Sequence, residues 1–481
     1  MRENRNPFNV RVSSIVMTKF NGTDKIDITP QMAEFTIYQS VFSTILKADM
    51  VMNDAIGLMN NYPLTGEEVI EVTIEQKGEE EKGTNQKEFT KTLQFVITAI
   101  KDIKMSDDTR KMLYVIELAS IEAFYNSKVK VSHAYYDKIE EIIKQVFSTY
   151  IQTNTDIAKQ GFRKEITTYN ETQNKFKIVV PSLKPLDAIN WLSKYAVATE
   201  KDQYYTYSFY ETLNGFVFKA LQFPTYKTAT GGAAPALADN ERYFYISNLE
   251  LVMNNKELYE LFTKEGFDVN RTVNDLKINK RYTTLEKIVN GYFKNELIEV
   301  NMLQKDHKVT KSELNNDGGN LNMLENNVLN TEDYMNNVKN SKFGTESSPR
   351  IRYVINNFDN LTQPSFRDKF GSSSRSFAAY QQIDLSIAVH ADLLLRVGDL
   401  MSLYIPEGHG FNANFYKDKY LSGLFLITEI KTVIRNGGAS QSYIRLNKDS
   451  FSEKLEDKAA YELNIQQDFE TQRQLNRASG A

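Results

Sequence analysis

Four histidines, His133, His307, His390 and His409, are the side chains best suited by type to ligate a metal or move a proton near neutral pH. No two stand four residues apart and no His-Glu-x-x-His segment occurs, so the helical zinc pattern is missing. His409 lies in Glu407-Gly408-His409-Gly410, a loop that supplies no partner for either role. Acidic pairs such as Glu67-Glu68 and Asp107-Asp108 fall in turns, where adjacent carboxylates do not frame a substrate as an acid/base couple must. Asp392 and Asp399 also sit in turns, which Asp favours for its own backbone hydrogen bonds. There is no Gly-x-x-x-x-Gly-Lys-Ser/Thr phosphate loop, no Gly-x-Ser-x-Gly elbow and no Gly-x-Gly-x-x-Gly after a strand. The chain has no cysteine, which excludes disulfides, thiolate metal sites and a Cys nucleophile. No catalytic, metal or cofactor-binding residue is assigned, and no cofactor is called for.

The elements point to structure instead. In Ile383 to Phe451, Ile383, Leu385, Ile387 and Val389 alternate with polar or small residues, the period of a half-buried strand. Val397-Gly398-Asp399 turns the chain, and Met401, Leu403 and Ile405 alternate after it. Tyr420 to Val433 is a longer apolar strand, followed by Asn436-Gly437-Gly438, a strong hairpin signal, and a return strand at Ser442 to Leu446. An earlier hairpin repeats this one. Phe95, Ile97 and Ile100 match Phe425, Ile427 and Ile430 in an Ile-Thr-x-Ile-Lys frame, and Leu118 matches Leu446 on the return strand. Phe124 and Phe451 close the two copies. Matching phase and punctuation predict two related β-domains in one polypeptide.

In chain order, strands are predicted at Phe8–Met17, Ala33–Phe42, Ile45–Met52, Val69–Glu75, Phe89–Ile103 and Lys111–Ser120, with a turn around Gly66 and a charged loop over 77–87. About six strands suffice for a small barrel. From Tyr125 the period becomes helical: Tyr136–Gln152 reads as an amphipathic helix, and Pro185 opens another that carries the only tryptophan, Trp191, a packing residue. The predicted fold is mainly β, two related antiparallel barrels plus a middle α+β domain and a loop-rich insertion. The boundaries are 1–124 for the first barrel, 125–280 for the middle domain and 281–312 for the first strands of the second barrel. An Asn/Ser-rich insertion with a short helix after Gly371 spans 313–380, the rest of the second barrel 381–451 and a polar tail 452–481.

A length of 481 residues suits about three domains of ~150 residues. The net charge of −4, with both signs mixed along the chain, gives no footprint for nucleic acid or an anionic membrane. No run approaches the ~20 apolar residues of a membrane span, and the N-terminus lacks a signal-type apolar stretch, so folding in a cytoplasm is expected.

The segment Phe35 to Thr73, with its strand, its Asp54-Ala55-Ile56-Gly57-Leu58 and its Pro63-Leu64-Thr65-Gly66-Glu67-Glu68 turn, resembles the central baseplate hub proteins of T-even-like contractile-tailed phages. Val397-Gly398-Asp399 and Tyr420 to Ile427, ending in Leu446 to Phe451, resemble the second barrel of that family, whose hub domain is shared with type VI secretion spike proteins. The Asn-rich insertion and the tail depart from it. The resemblance implies a homotrimer whose six barrels form a pseudo-sixfold ring between a sixfold tail tube and a threefold central spike. The implied partners are the spike, the tube or tube-initiator protein, and tape-measure and wedge proteins. DNA passes through without specific binding, past lumen positions expected to be polar or acidic. The implied location is the virion baseplate, assembled in the host cytoplasm. The alternatives are a β-rich tail-associated glycan hydrolase or peptidase, because two carboxylates can meet in space without a motif, and the hub of a phage-derived secretion system.

Overall fold

The computed structural model describes residues 10–19, 24–62, 64–76, 89–105, 111–152, 164–198, 206–221, 242–246, 263, 271–281, 284–302, 304–313, 346–355, 364–381, 383–406, 418 and 421–449. The charged loop 77–87, the Asp107-Asp108 turn, the His409 loop, Phe451, the tail and most of the Asn-rich insertion lie outside them. The fold is mainly β.

Seven strands build the first barrel: β1 (Val10–Lys19), β2 (Lys25–Asp27), β3 (Met32–Ser40), β4 (Lys47–Asp54), β5 (Glu68–Gln76), β6 (Phe89–Met105) and β7 (Met112–Ser120). They run antiparallel in the order β3-β4-β7-β6-β5-β1-β2. The period-2 pattern does the folding: Ile70, Val72 and Ile74 of β5 point inward against Phe35, Met50, Phe95 and Ile116. Each such side chain contributes roughly 1.5–3 kcal/mol by leaving water. β1 and β3 do not form a ladder with each other. Their seam is spanned by the β2 turn, where Ile28 N–H donates to the Ile15 carbonyl at 3.0 Å and Ile15 N–H to Thr29 Oγ1 at 2.7 Å.

The middle domain joins α2 (Glu122–Lys128), α3 (Ile139–Phe147) and α4 (Pro185–Ser193) to β8 (Ala134–Asp137), β9 (Ile166–Thr168), β10 (Phe176–Val179), β11 (Tyr207–Thr212) and β12 (Gly215–Ala220). A single turn, α1 (Leu58–Asn61), precedes them in the first barrel. In α3, Ile139, Ile142, Ile143, Val146 and Phe147 are buried, as the helical spacing requires. Tyr136 is not in that helix; it belongs to β8. Trp191 packs edge-to-face on Tyr195 at 5.1 Å.

The second barrel is a closed ring: β19 (Leu400–Tyr404), β13 (Arg242–Tyr245), β14 (Thr272–Arg281), β18 (Ile383–His390), β21 (Gln441–Lys448) and β20 (Gly423–Arg435), which pairs back to β19. This corrects the strand assignment over 281–312. β15 (Lys294–Asn301) and β16 (Asp306–Glu313) pair with β17 (Arg350–Ile355) in a separate three-stranded sheet, and β13 and β14 take their predicted place in the barrel. The barrel is also not wholly antiparallel, because β13 runs parallel to both β14 and β19. α5 (Thr284–Val289) and α6 (Pro364–Tyr380) accompany the small sheet. α6 runs through Gly371 and does not begin after it. A Cβ there would lie 1.9 Å from Ser312 Oγ, so glycine is what allows α6 to approach β16. Among the described residues no helix is long and apolar enough to cross a membrane.

Candidate functional site

The two barrels share one thirteen-stranded sheet. β20 makes the join. Its first residues pair with β19, and Glu429–Arg435 then leave that partner and pair antiparallel with β3, from Glu429 opposite Ser40 to Arg435 opposite Glu34. Arg435 Nε donates to Glu34 Oε2 at 3.1 Å, Asn436 N–H to the Ala33 carbonyl at 3.2 Å, and Val41 N–H to the Thr428 carbonyl at 3.0 Å. Leu393 N–H donates to Gln76 Oε1 at 2.8 Å. Ala391, Leu393 and Ile434 enter the core of the first barrel.

The repeated residues occupy matching places. Phe95, Ile97 and Leu118 are buried in the first core with Ile100 packed against it, and Phe425, Ile427, Ile430 and Leu446 are buried in the second. Ile97 faces Leu118 and Ile427 faces Leu446, and one rung later both ladders slip by one residue, at Thr98 and at Thr428. A β-bulge of this kind bends the strand and sharpens its twist. Following the ladders outward pairs β3 with β14, β4 with β18, β6 with β20 and β7 with β21. The row Ile37–Ala48–Leu118 of the first barrel corresponds to Ile278–Leu385–Leu446 of the second.

That correspondence exposes a difference. β20 and β3 cover each other, but their counterparts β6 and β14 are open among the described residues. Beyond Val96, the edge of β6 away from β7 meets no strand among the described residues, and neither does the edge of β14 beyond Val273. Ile37 is 1% exposed and its counterpart Ile278 is 45% exposed. Ile434 is 1% exposed and Met105, which holds its ladder position, is 77% exposed. Ile103, also on the open edge, is likewise exposed.

The turn residues serve positioning. Gly66 (φ 85°) lets the Glu68 carboxylate accept from Thr65 N–H and Gly66 N–H, both at 2.9 Å. Gly398 (φ 82°) lies under Tyr210, and its carbonyl accepts from Lys219, which also stands 3.7 Å from Asp399. Asn436 and Gly437 (φ 76°) form the β20–β21 turn.

Sequence reasoning missed the buried ions that fix the middle domain. Lys164 binds Glu122 at 2.9 Å and Glu211, which also accepts from Leu46 N–H and Ser120 Oγ at 2.7 Å each. Burial works against the Lys164 charge, but the two carboxylates outweigh it and raise its pKa. Burial raises Glu122 against the pull of Lys164. Burial brings Lys219 down to about 8. These partners are tens of residues apart in the chain, and no local pattern marks them.

The three histidines among the described residues do not converge. His133 stacks edge-on to Tyr135, His307 is exposed on β16, and His390 ends β18, its pKa lowered by burial. Among the described residues no group of three potential metal ligands occurs.

The outward face of the shared sheet carries several ion pairs and hydrogen bonds beside exposed lysines such as Lys47 and Lys431. Arg445 grips Asp384 at 2.7 Å and reaches Glu429 at 3.4 Å, Lys101 binds Glu117, and Tyr38 donates to Asp49 at 3.0 Å.

No protein-family model and no curated protein matches the chain. Among solved structures, the tail protein from Neisseria meningitidis MC58 aligns over 91% of this chain and 96% of its own at 11% identity, with a TM-score of 0.50. A prophage MuSo2 43 kDa tail protein from Shewanella oneidensis covers 91% and 98% at 9% identity and a TM-score of 0.43. Prophage tail protein gp18 from Listeria monocytogenes EGD-e covers 91% and 96% at 10% identity and a TM-score of 0.42. At such identity the likeness to the Neisseria tail protein shows the fold alone, and the shared fold runs over almost the whole of this chain.

Proposed function

We propose that the protein is a structural baseplate hub of a contractile tail. Three copies form a ring of six similar barrels that joins a sixfold tail tube to a threefold central spike and surrounds a channel for DNA. The observation that carries this reading is the paired difference at the junction. One barrel-to-barrel contact is made inside the chain, and its repeat, with Ile278 and Met105 uncovered, is left open at the two outer ends. A heterologous contact of this sort generates a closed ring when its rotation fits, and the duplication makes every second contact intramolecular.

The outward sheet face suits a channel wall that does not retain DNA. Phosphate binding draws on free Lys and Arg; Arg445, Arg435 and Lys101 are each held by a carboxylate, whereas Lys104 and Lys277 stand exposed at the closing edges, where the next copy would cover them. The role is structural, without a reaction. Electron microscopy of the purified protein tests the reading. Six-lobed rings with an open centre support it, and single two-lobed particles alone contradict it.

A further inference from the structure

We infer that the ring closes by strand addition in a defined register: Lys101–Met105 of β6 in one copy adds antiparallel to Leu276–Lys280 of β14 in the next. The inference rests on the ring reading and specifies its contact.

The internal junction supplies the template. There, Val433 faces Thr36 and Ile434 faces Phe35. The ladders carry these positions to the open edges. Thr36 leads through Asp49 to Glu117, and Lys277 leads through Ser386 to Arg445, the residue that matches Glu117 one rung past each bulge. Likewise Phe35–Met50–Ile116 corresponds to Leu276–Ile387–Ile444. On the other edge β6 carries a second bulge between Lys101 and Lys104 that β20 lacks, and past it Lys104 opposite Leu113 holds the position of Val433 opposite Gln441, and Met105 that of Ile434. Lys104 therefore faces Lys277 across the closing contact, and Met105 faces Leu276.

The physical case has two parts. An open edge presents unmet N–H and C=O groups, and both edges here also expose apolar side chains that their internal counterparts bury. The second part is the charge. Lysines facing one another disfavour pairing, and Lys is a common guard on strand edges. The trans contact is accordingly weaker than the cis one, so monomers stay soluble until three can close together.

The chain has no native cysteine, so an engineered pair reports cleanly. Lys104→Cys with Lys277→Cys places two thiols directly across the inferred contact, where opposite Cβ atoms stand ~4.5–5.5 Å apart and a small adjustment reaches the ~3.5–4.5 Å of a disulfide. Both lysines are exposed, and the change leaves the cores intact. Thr36→Cys with Val433→Cys is the internal control. After mild oxidation and denaturing electrophoresis without reductant, most of the Lys104/Lys277 variant runs as covalent trimer, and the control runs as a compacted monomer. A variant that is trimeric by native mass but uncrosslinked, with the control closed, overturns the strand register and leaves the ring standing. A protein that is monomeric by native mass overturns the ring and this contact together.

Discussion

Thr98 and Thr428 make the same hydrogen bond in the two barrels: each hydroxyl donates at 3.1 Å across its bulge, to the Glu117 and Arg445 carbonyls respectively. The bulge frees one residue from the ladder, and the threonine satisfies the partner carbonyl left beside it. Its repetition at the same rung identifies the barrels as copies at the level of strand geometry. Thr98 is exposed, whereas Thr428 is buried and also touches Asn447 at 2.6 Å. Thr428→Val is expected to cost about 1 kcal/mol more than Thr98→Val in urea unfolding, the value of a buried hydrogen bond left unmade. Equal costs would detach the hydroxyl from this role.

Among the described residues Lys164 is the cation that bridges Glu122 and Glu211 at the seam of the first barrel and the middle domain. Lys164→Met strands two buried carboxylates, so unfolding should become easier by about 3–5 kcal/mol. Chemical denaturation followed by the fluorescence of Trp191, the one tryptophan in this chain, reads the middle domain directly. A loss below about 1 kcal/mol would contradict the bridging role.

Lys287 is 7% exposed, and burial lowers its pKa to about 8, with the Tyr292 ring 4.9 Å below its ammonium. Below pH 8 both folded and unfolded forms carry the proton, and the full burial penalty applies. Between pH 8 and the ordinary lysine value of 10.5, the unfolded chain binds the proton and the folded chain does not, so this group's contribution to stability rises with pH. Lys287→Met should thus stabilise at pH 7 by on the order of 2 kcal/mol, and the advantage should shrink as pH rises through that window. Thermal melts at pH 7 and pH 10 check both the sign and the trend.

The repeated hairpins were legible because alternation over 95–118 and 425–446 is a local record of one buried face, kept in phase by a shared Thr. The same alternation showed β18 and β19, but not that β13 and β14 complete the second barrel. Alternation reports that Leu297 faces inward but not which sheet holds it, and β15 went to a separate layer. The strand that does line the barrel, β14, reads Asn274-Asp275-Leu276-Lys277-Ile278-Asn279-Lys280, polar because one edge and one face are open. β13 is only four residues long and parallel to both neighbours, so no hairpin turn announces it. The site itself was visible as a duplication. Its open edges required the paired burial of Ile37 with Ile278, and of Ile434 with Met105, which no sequence pattern separates.

If Lys104 faces Lys277 across the closing contact, reversing one charge converts repulsion to attraction. Lys104→Glu should tighten association several-fold at low salt, Lys277→Glu should do the same, and the double reversal should lose the gain. Screening shortens the reach of charges to ~3 Å at 1 M salt, so all variants should converge there. Sedimentation equilibrium across ionic strength measures this. An equal effect of every substitution would place the lysines apart.

The central claim is that this chain completes between copies the contact it already makes within itself. Its most direct test is the native mass of the wild-type protein over a range of concentration, by sedimentation or mass photometry. The account predicts a species of three times the 55.3 kDa chain, lost on Ile278→Asp or Met105→Asp without loss of folded structure. A wild-type protein that remains at 55.3 kDa at tens of micromolar, or a trimer indifferent to both substitutions, would contradict it.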